Sequence, residues 1–163
     1  MTQVLILMGS DSDAPVMRAA GDVLTELGVT WEMTVASAHR SPARVTRLVS
    51  EAPGRGVRVF IVGAGAAAHL AGVVAAHTSL PVIGVPIDSS ALKGLDALLS
   101  TVQMPPGVPV ATVAIGKPGA TNAGVLAAQM IALAEPALAA RLVAYKESLA
   151  EKVEAAARRL ESQ

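Results

Sequence analysis

Between Val59 and Ile87 the chain carries no Asp, Glu, Lys or Arg. A run of that length either crosses a bilayer or lies deep inside a folded domain. Its texture favours the second. Gly63, Gly65, Gly72, Pro81, Gly84 and Pro86 punctuate it, and His69 and His77 interrupt it. Val59-Phe60-Ile61-Val62 is short and rich in β-branched residues, the middle is Ala-rich, and Pro81-Val82-Ile83-Gly84-Val85 is strand-like again. That pattern is strand, buried helix, strand, with Gly and Pro where a βαβ unit turns. The opening Met1–Met8 lacks a basic region, and its apolar run is too short for a signal peptide. With no Cys anywhere, nothing places the chain outside the reducing cytoplasm.

The rest of the chain repeats the alternation. Val4–Met8 reads as a buried strand. A helix opens at Asp13-Ala14-Pro15, with Asp as cap and Pro in the first turn, and closes at Gly28. Thr30–Val35 is a second strand, followed by a helix from Ser41-Pro42 to Ala52. Val57–Val62 is the third strand, His69–His77 a helix, Val82–Val85 the fourth strand, and Leu92–Leu99 a helix. Val110–Ile115 is the fifth strand and Asn122–Ala134 a helix; Pro136 starts the last one. Strands alternating with helices give a three-layer αβα sandwich around a parallel sheet, and five strands suggest the flavodoxin-like order 2-1-3-4-5. At 163 residues this is a single domain, 1–163.

The last helix, 136–161, spaces Leu138, Leu142, Tyr145, Leu149, Val153, Ala156 and Leu160 by threes and fours. That stripe packs on its own domain or docks on a neighbouring subunit. Composition favours a homo-oligomer. Charged residues make up 16% of the chain and Ala occurs 32 times, whereas a typical soluble domain is about 25% charged. Too few charges remain to cover a free surface. The 13 basic and 13 acidic residues balance to +0 and only three residues are aromatic. That leaves neither the charge nor the stacking platforms that nucleic acid needs.

In a doubly wound sheet the ligand sits beyond the carboxyl ends of the strands, at the switch point. Three loops converge there. After strand one, Gly9-Ser10-Asp11-Ser12-Asp13 puts small hydroxyl residues at a helix start, which suits a phosphate; plain helix capping explains each residue singly. After strand two, Ser37-Ala38-His39-Arg40-Ser41-Pro42 supplies a guanidinium that can clamp phosphate and an imidazole that can move protons. A surface Arg and an incidental His fit equally well. After strand three, Gly63-Ala64-Gly65-Ala66-Ala67-Ala68-His69-Leu70 reads either as tight helix–sheet packing or as a small dry pocket beside a flat ligand.

Two other readings compete. Gly63-x-Gly65-x-x-Ala68, with Asp88 downstream, fits the dinucleotide fingerprint and keeps a nicotinamide oxidoreductase open, although the motif follows the third strand. A phosphoacceptor receiver domain would use Asp11, Asp13 and Lys117, but it needs an Asp where Val62-Gly63 stands. The three His lack metal-ligand spacing, so no metal site is expected.

Together these segments resemble the class I N5-carboxyaminoimidazole ribonucleotide mutases of purine biosynthesis. The likeness rests on Gly9–Asp13, Ser37–Pro42, Gly63–Leu70, Pro81–Pro86, Leu98–Pro105 and Pro109–Gly116, in order over nearly the whole chain. It implies an isomerase that moves a carboxylate from the exocyclic nitrogen of an aminoimidazole ribonucleotide to a ring carbon, without metal, nucleotide cofactor or ATP. It also implies an octamer with active sites at subunit contacts. The further partner would be the ATP-dependent synthetase that makes the substrate, in transient contact. By motif position, Ser10 and Asp13 would bind the ribose phosphate end, supported by Ser12, Arg40 would pair with the phosphate, and Ser37 would also bind the substrate. His39 would be the general acid and base; Ala64, Gly65, His69 and Leu70 would line the pocket for the base and carbon dioxide. The family usually has Gly at Ala66, Pro at Ala71 and Trp at Ala14. A methyl at Ala66 is expected either to narrow the pocket or to strain a backbone that wants Gly. Class II relatives carry Lys after the loop His, where this chain has Arg40.

Overall fold

The structure is a computed structural model and describes residues 1–162. Strand and helix alternate: β1 (Val4–Met8), α1 (Ala14–Glu26), β2 (Trp31–Val35), α2 (Pro42–Glu51), β3 (Val59–Gly65) and α3 (Leu70–Ala76). Then come β4 (Val82–Ile87), α4 (Leu95–Val102), β5 (Ala111–Thr112), α5 (Gly116–Ala132) and α6 (Pro136–Glu161). The sheet is parallel throughout, in the order β2-β1-β3-β4-β5. The uncharged run is therefore β3, α3 and β4. Among the described residues no helix is long and apolar enough to cross a membrane.

Why β1 and β3 read as unbroken apolar runs follows from the layers. In β1, Val4, Ile6 and Met8 join the core beneath α1 and α5, whereas Leu5 and Leu7 join the core beneath α2 and α3. Both faces are covered, so all five residues are buried. The first layer packs closely because Gly63 has no side chain: a Cβ there would lie 2.3 Å from the Met17 sulfur. Gly28 closes α1 in the left-handed region, with φ +70°.

Several boundaries differ from the sequence-based expectation. The third strand ends at Gly65 rather than Val62, because Gly63, Ala64 and Gly65 pair in register with Val85, Pro86 and Ile87 of β4. The fourth strand likewise runs two residues longer. The fifth strand shrinks to Ala111–Thr112. As an edge strand it has one neighbour, and its ladder stops where Ile115 turns into α5. The helix expected at Leu92–Leu99 is displaced to Leu95–Val102, because Lys93 and Gly94 both have positive φ and break it. Conversely, α5 begins at Gly116, not Asn122, since Pro118 is tolerated in a first helical turn. Helix α6 splits the stripe. Leu138 is buried and Leu142 and Tyr145 pack on the core, but Leu149, Val153 and Leu160 are exposed.

Candidate active site

The three loops named from sequence meet at the carboxyl edge of β2, β1 and β3. They enclose a cleft of about 350 Å³. Every proposed site residue lines it: Ser10, Ser12, Asp13, Ser37, His39, Arg40, Ala64, Gly65, His69 and Leu70. A shallower hollow beside it shares Ser10, Ser37 and Arg40.

On the β1 side the chain makes a single 3-10 turn before α1. The Ser12 backbone N–H and hydroxyl both donate to Ser10 Oγ, at 3.3 and 2.9 Å. Ser10, not Asp13, thus does the capping. Asp13 occupies the cap position of α1 without a side-chain hydrogen bond to the helix, correcting the expected role. The residue as a whole is 6% exposed. Burial, aided by the nearby Asp11 charge, pushes its pKa above the ordinary carboxylate range, against a hydrogen bond from the Ser10 backbone.

On the β2 side the turn is fixed from within. Ser37 N–H donates to Ser41 Oγ at 3.1 Å, and that hydroxyl donates back to the Ser37 carbonyl at 3.2 Å. Arg40 N–H donates to Ser37 Oγ at 3.1 Å. Its guanidinium crosses to the β1 loop, donating from Nη2 to the Gly9 carbonyl at 3.0 Å. Arg40 is exposed. These bonds use part of its five-donor fork and leave the remainder for a ligand.

The β3 side contributes no such network. Ala64 and Gly65 are the last strand residues, and Ala66, Ala67 and Ala68 make the turn into α3. Ala66 has φ +51°, the left-handed conformation for which glycine is the unstrained residue, as expected from sequence. His69 Nδ1 lies 2.7 Å from His39 Nε2, with the rings edge-on at 75°. One imidazole therefore donates to the other, and each ring holds the other's orientation.

Sequence reading missed Ser89, which follows β4 and also lines the cleft. The relation that singles it out is spatial: a Cβ built on Gly65 would stand 1.8 Å from Ser89 Oγ. Two rival readings fall on the same geometry. Gly63 and Gly65 lie inside β3 rather than in a turn at a helix start, so they cannot cradle a pyrophosphate as the dinucleotide fingerprint does. No Asp stands at the end of β3 for a receiver domain. Among the described residues no three His, Asp or Glu side chains gather where they could hold a metal ion.

A flavodoxin-like sheet with a cleft at its switch point, one wall carrying hydroxyl groups and Arg40 and the other mainly Gly and Ala, is the architecture of a small-molecule site. The family described as AIR carboxylase matches residues 3–152, and the chain belongs to it. It is 52% identical over 161 residues to the N5-carboxyaminoimidazole ribonucleotide mutase of Thermotoga maritima, spanning 99% of this chain and 93% of that protein. It is 53% identical over 156 residues to the mutase of the same name from Pyrococcus horikoshii, spanning 96% and 87%. Among solved structures, Treponema denticola PurE superimposes with a TM-score of 0.86 at 29% identity, covering 98% of this chain and 99% of that one.

Proposed function

We propose that this chain is an N5-carboxyaminoimidazole ribonucleotide mutase of purine biosynthesis. The observation that carries the reading is the meeting, in one cleft, of a phosphate-type cluster, a histidine pair and a wall of Gly and Ala. Arg40, with Ser10, Ser12 and Ser37, holds the phosphate end. Asp13, an acceptor beside those hydroxyls, suits the ribose hydroxyls better than an anion. The flat imidazole lies along Ala64, Gly65 and Leu70.

The chemistry then needs one proton carrier. His39 gives a proton to the exocyclic nitrogen as the N–C bond breaks and carbon dioxide leaves. The ring carbon attacks the trapped carbon dioxide, and His39 takes up the proton that carbon releases. The histidine ends as it began, and no electrons change hands, so neither redox cofactor nor ATP is called for. His69 steadies the His39 ring through their hydrogen bond. Holding carbon dioxide beside the ring carbon supplies a high effective concentration, and an apolar wall keeps water from competing.

His39, Arg40 and Ser12 are exposed in the single chain, so a dry site calls for a cover. A second copy is the proposed cover, within a homo-octamer in the cytoplasm to which the ATP-dependent synthetase delivers its unstable product by transient contact. Exposed Leu149, Val153 and Leu160 on α6, and Leu92 just before α4 with Leu95 and Leu99 on it, supply apolar surface for such packing. Truncation before Pro136 lowers the mass seen in light scattering; an intact assembly would refute the role of α6.

The reaction is tested by an ultraviolet assay with freshly made N5-carboxyaminoimidazole ribonucleotide, without bicarbonate, metal or ATP. The expected product is the carbon-carboxylated isomer. The His39→Asn variant should keep the melting temperature and lose about 10²–10⁴-fold in turnover. A fully active variant removes the acid–base role, and a wild-type protein that makes no product removes the reaction.

A further inference from the structure

The β3 and β4 side of the cleft is nearly devoid of side-chain polarity: Ala64, Gly65, Ala66, Ala67 and Ala68 offer only backbone groups. The exceptions are His69, already paired with His39, and Ser89. Its neighbour Ser90 is committed within the turn, donating to Asp96 Oδ2 at 2.7 Å and accepting from Leu92 N–H at 3.2 Å. Ser89 has no comparable tie among the described residues. Its hydroxyl occupies the space that any side chain at position 65 would fill, with its Oγ 1.8 Å and its Cβ 3.0 Å from a Cβ built on Gly65. Glycine at 65 therefore does more than thin the wall; it admits one hydroxyl to a surface whose other hydrogen-bonding side chain, His69, is paired with His39.

Resting on the mutase reading, we propose that Ser89 is a further substrate-binding residue whose hydroxyl donates to the migrating carboxylate. The hydroxyls of Ser10, Ser12 and Ser37 lie on the opposite wall and bond to one another or to Arg40. A neutral donor suits this place. It holds the carboxylate of substrate or product, and lets go when that group becomes uncharged carbon dioxide, whereas a cation would oppose its release. The bond is made in the ground state and weakened at the decarboxylated stage, so it acts on binding more than on turnover.

The test compares two ligands on two proteins. Ser89→Ala should weaken the carboxylated substrate about tenfold, read as KM, with kcat unchanged or raised. Aminoimidazole ribonucleotide, which lacks the carboxylate, should bind wild type and Ser89→Ala equally, and Ser89→Thr should restore KM. Equal KM values in wild type and Ser89→Ala, or an equal loss for both ligands, overturn the assignment while leaving the mutase reading intact. A wild-type protein inactive on the substrate overturns both.

Discussion

The cleft wall carried by β1 and β2 is polar and tied to itself; the wall carried by β3 and β4 is small and bare. On the first, Ser10 binds Ser12, Ser37 binds Arg40, and Arg40 reaches Gly9 of the next loop. On the second, Gly65 and four alanines present backbone and methyl groups. The first wall spends its hydrogen bonds on holding donors in place before a ligand arrives, which is how charge is recognised with little reorganisation. The second wall works by what it leaves out. The contrast teaches that a gap in side chains can be as specific as a cluster of them, provided a strand holds its edges rigid.

The comparison breaks most sharply at Arg40, where the polar wall meets the ligand's charge. Arg40→Ala should raise KM by about 10–100-fold, as expected for loss of a charge-assisted bidentate contact. Turnover at saturating substrate should fall much less, because the phosphate takes no part in bond changes. An unchanged substrate affinity in titration calorimetry would show that the phosphate lies elsewhere.

A smaller effect sharpens the same wall at Asp13. Its folded-state pKa is raised, chiefly by burial. The native state therefore holds its proton more tightly than the unfolded state, and the ionised carboxylate at neutral pH costs stability. That cost is relieved as pH falls through the raised folded value. Asp13→Asn should accordingly raise Tm at pH 7, by an amount that shrinks towards zero on acidification, while weakening substrate binding. A Tm gain that persists unchanged into acid would refute a titrating, buried Asp13.

Much of this was legible in the sequence, and unevenly. The polar wall was readable because Ser, Asp, His and Arg keep their chemistry wherever a loop puts them, and β1 and α1 fixed where the loops would stand. The bare wall was readable in composition but not in conformation. Gly63-Ala64-Gly65 has poor strand propensity, and only parallel pairing with Val85, Pro86 and Ile87 makes it strand. Here tertiary pairing overrides local preference. The reverse happened at Val110–Ile115, whose β-branched residues promise a strand that the sheet edge leaves two residues long. At α5, Pro118 and Gly119 resemble loop, yet a Cβ on Gly119 would lie 1.6 Å from the Ala114 carbonyl oxygen, so that close-packed start requires glycine. Ser89 went unnoticed for a related reason. Its importance arises from Gly65 on the neighbouring strand, a relation between strands that no single window of sequence displays.

The finest distinction between the walls falls on Ala66. It follows directly after β3 and holds φ at +51°, and its carbonyl accepts from Ala68 N–H at 2.8 Å in the tight turn towards α3. An L-residue in this region carries a cost of about 1 kcal/mol that glycine avoids. Glycine in turn gives back part of that gain through a freer unfolded chain. Strain at φ > 0 is the larger of the two, so Ala66→Gly should raise Tm by about 1–2 °C. The methyl also borders the cleft, so its removal widens the bare wall without touching the polar one. Affinity for inorganic phosphate should stay constant, while kcat for the carboxylated substrate changes by no more than a few-fold. A lowered Tm would mean that the methyl packs more favourably than its backbone is strained, and a changed phosphate affinity would mean that the two walls are mechanically coupled.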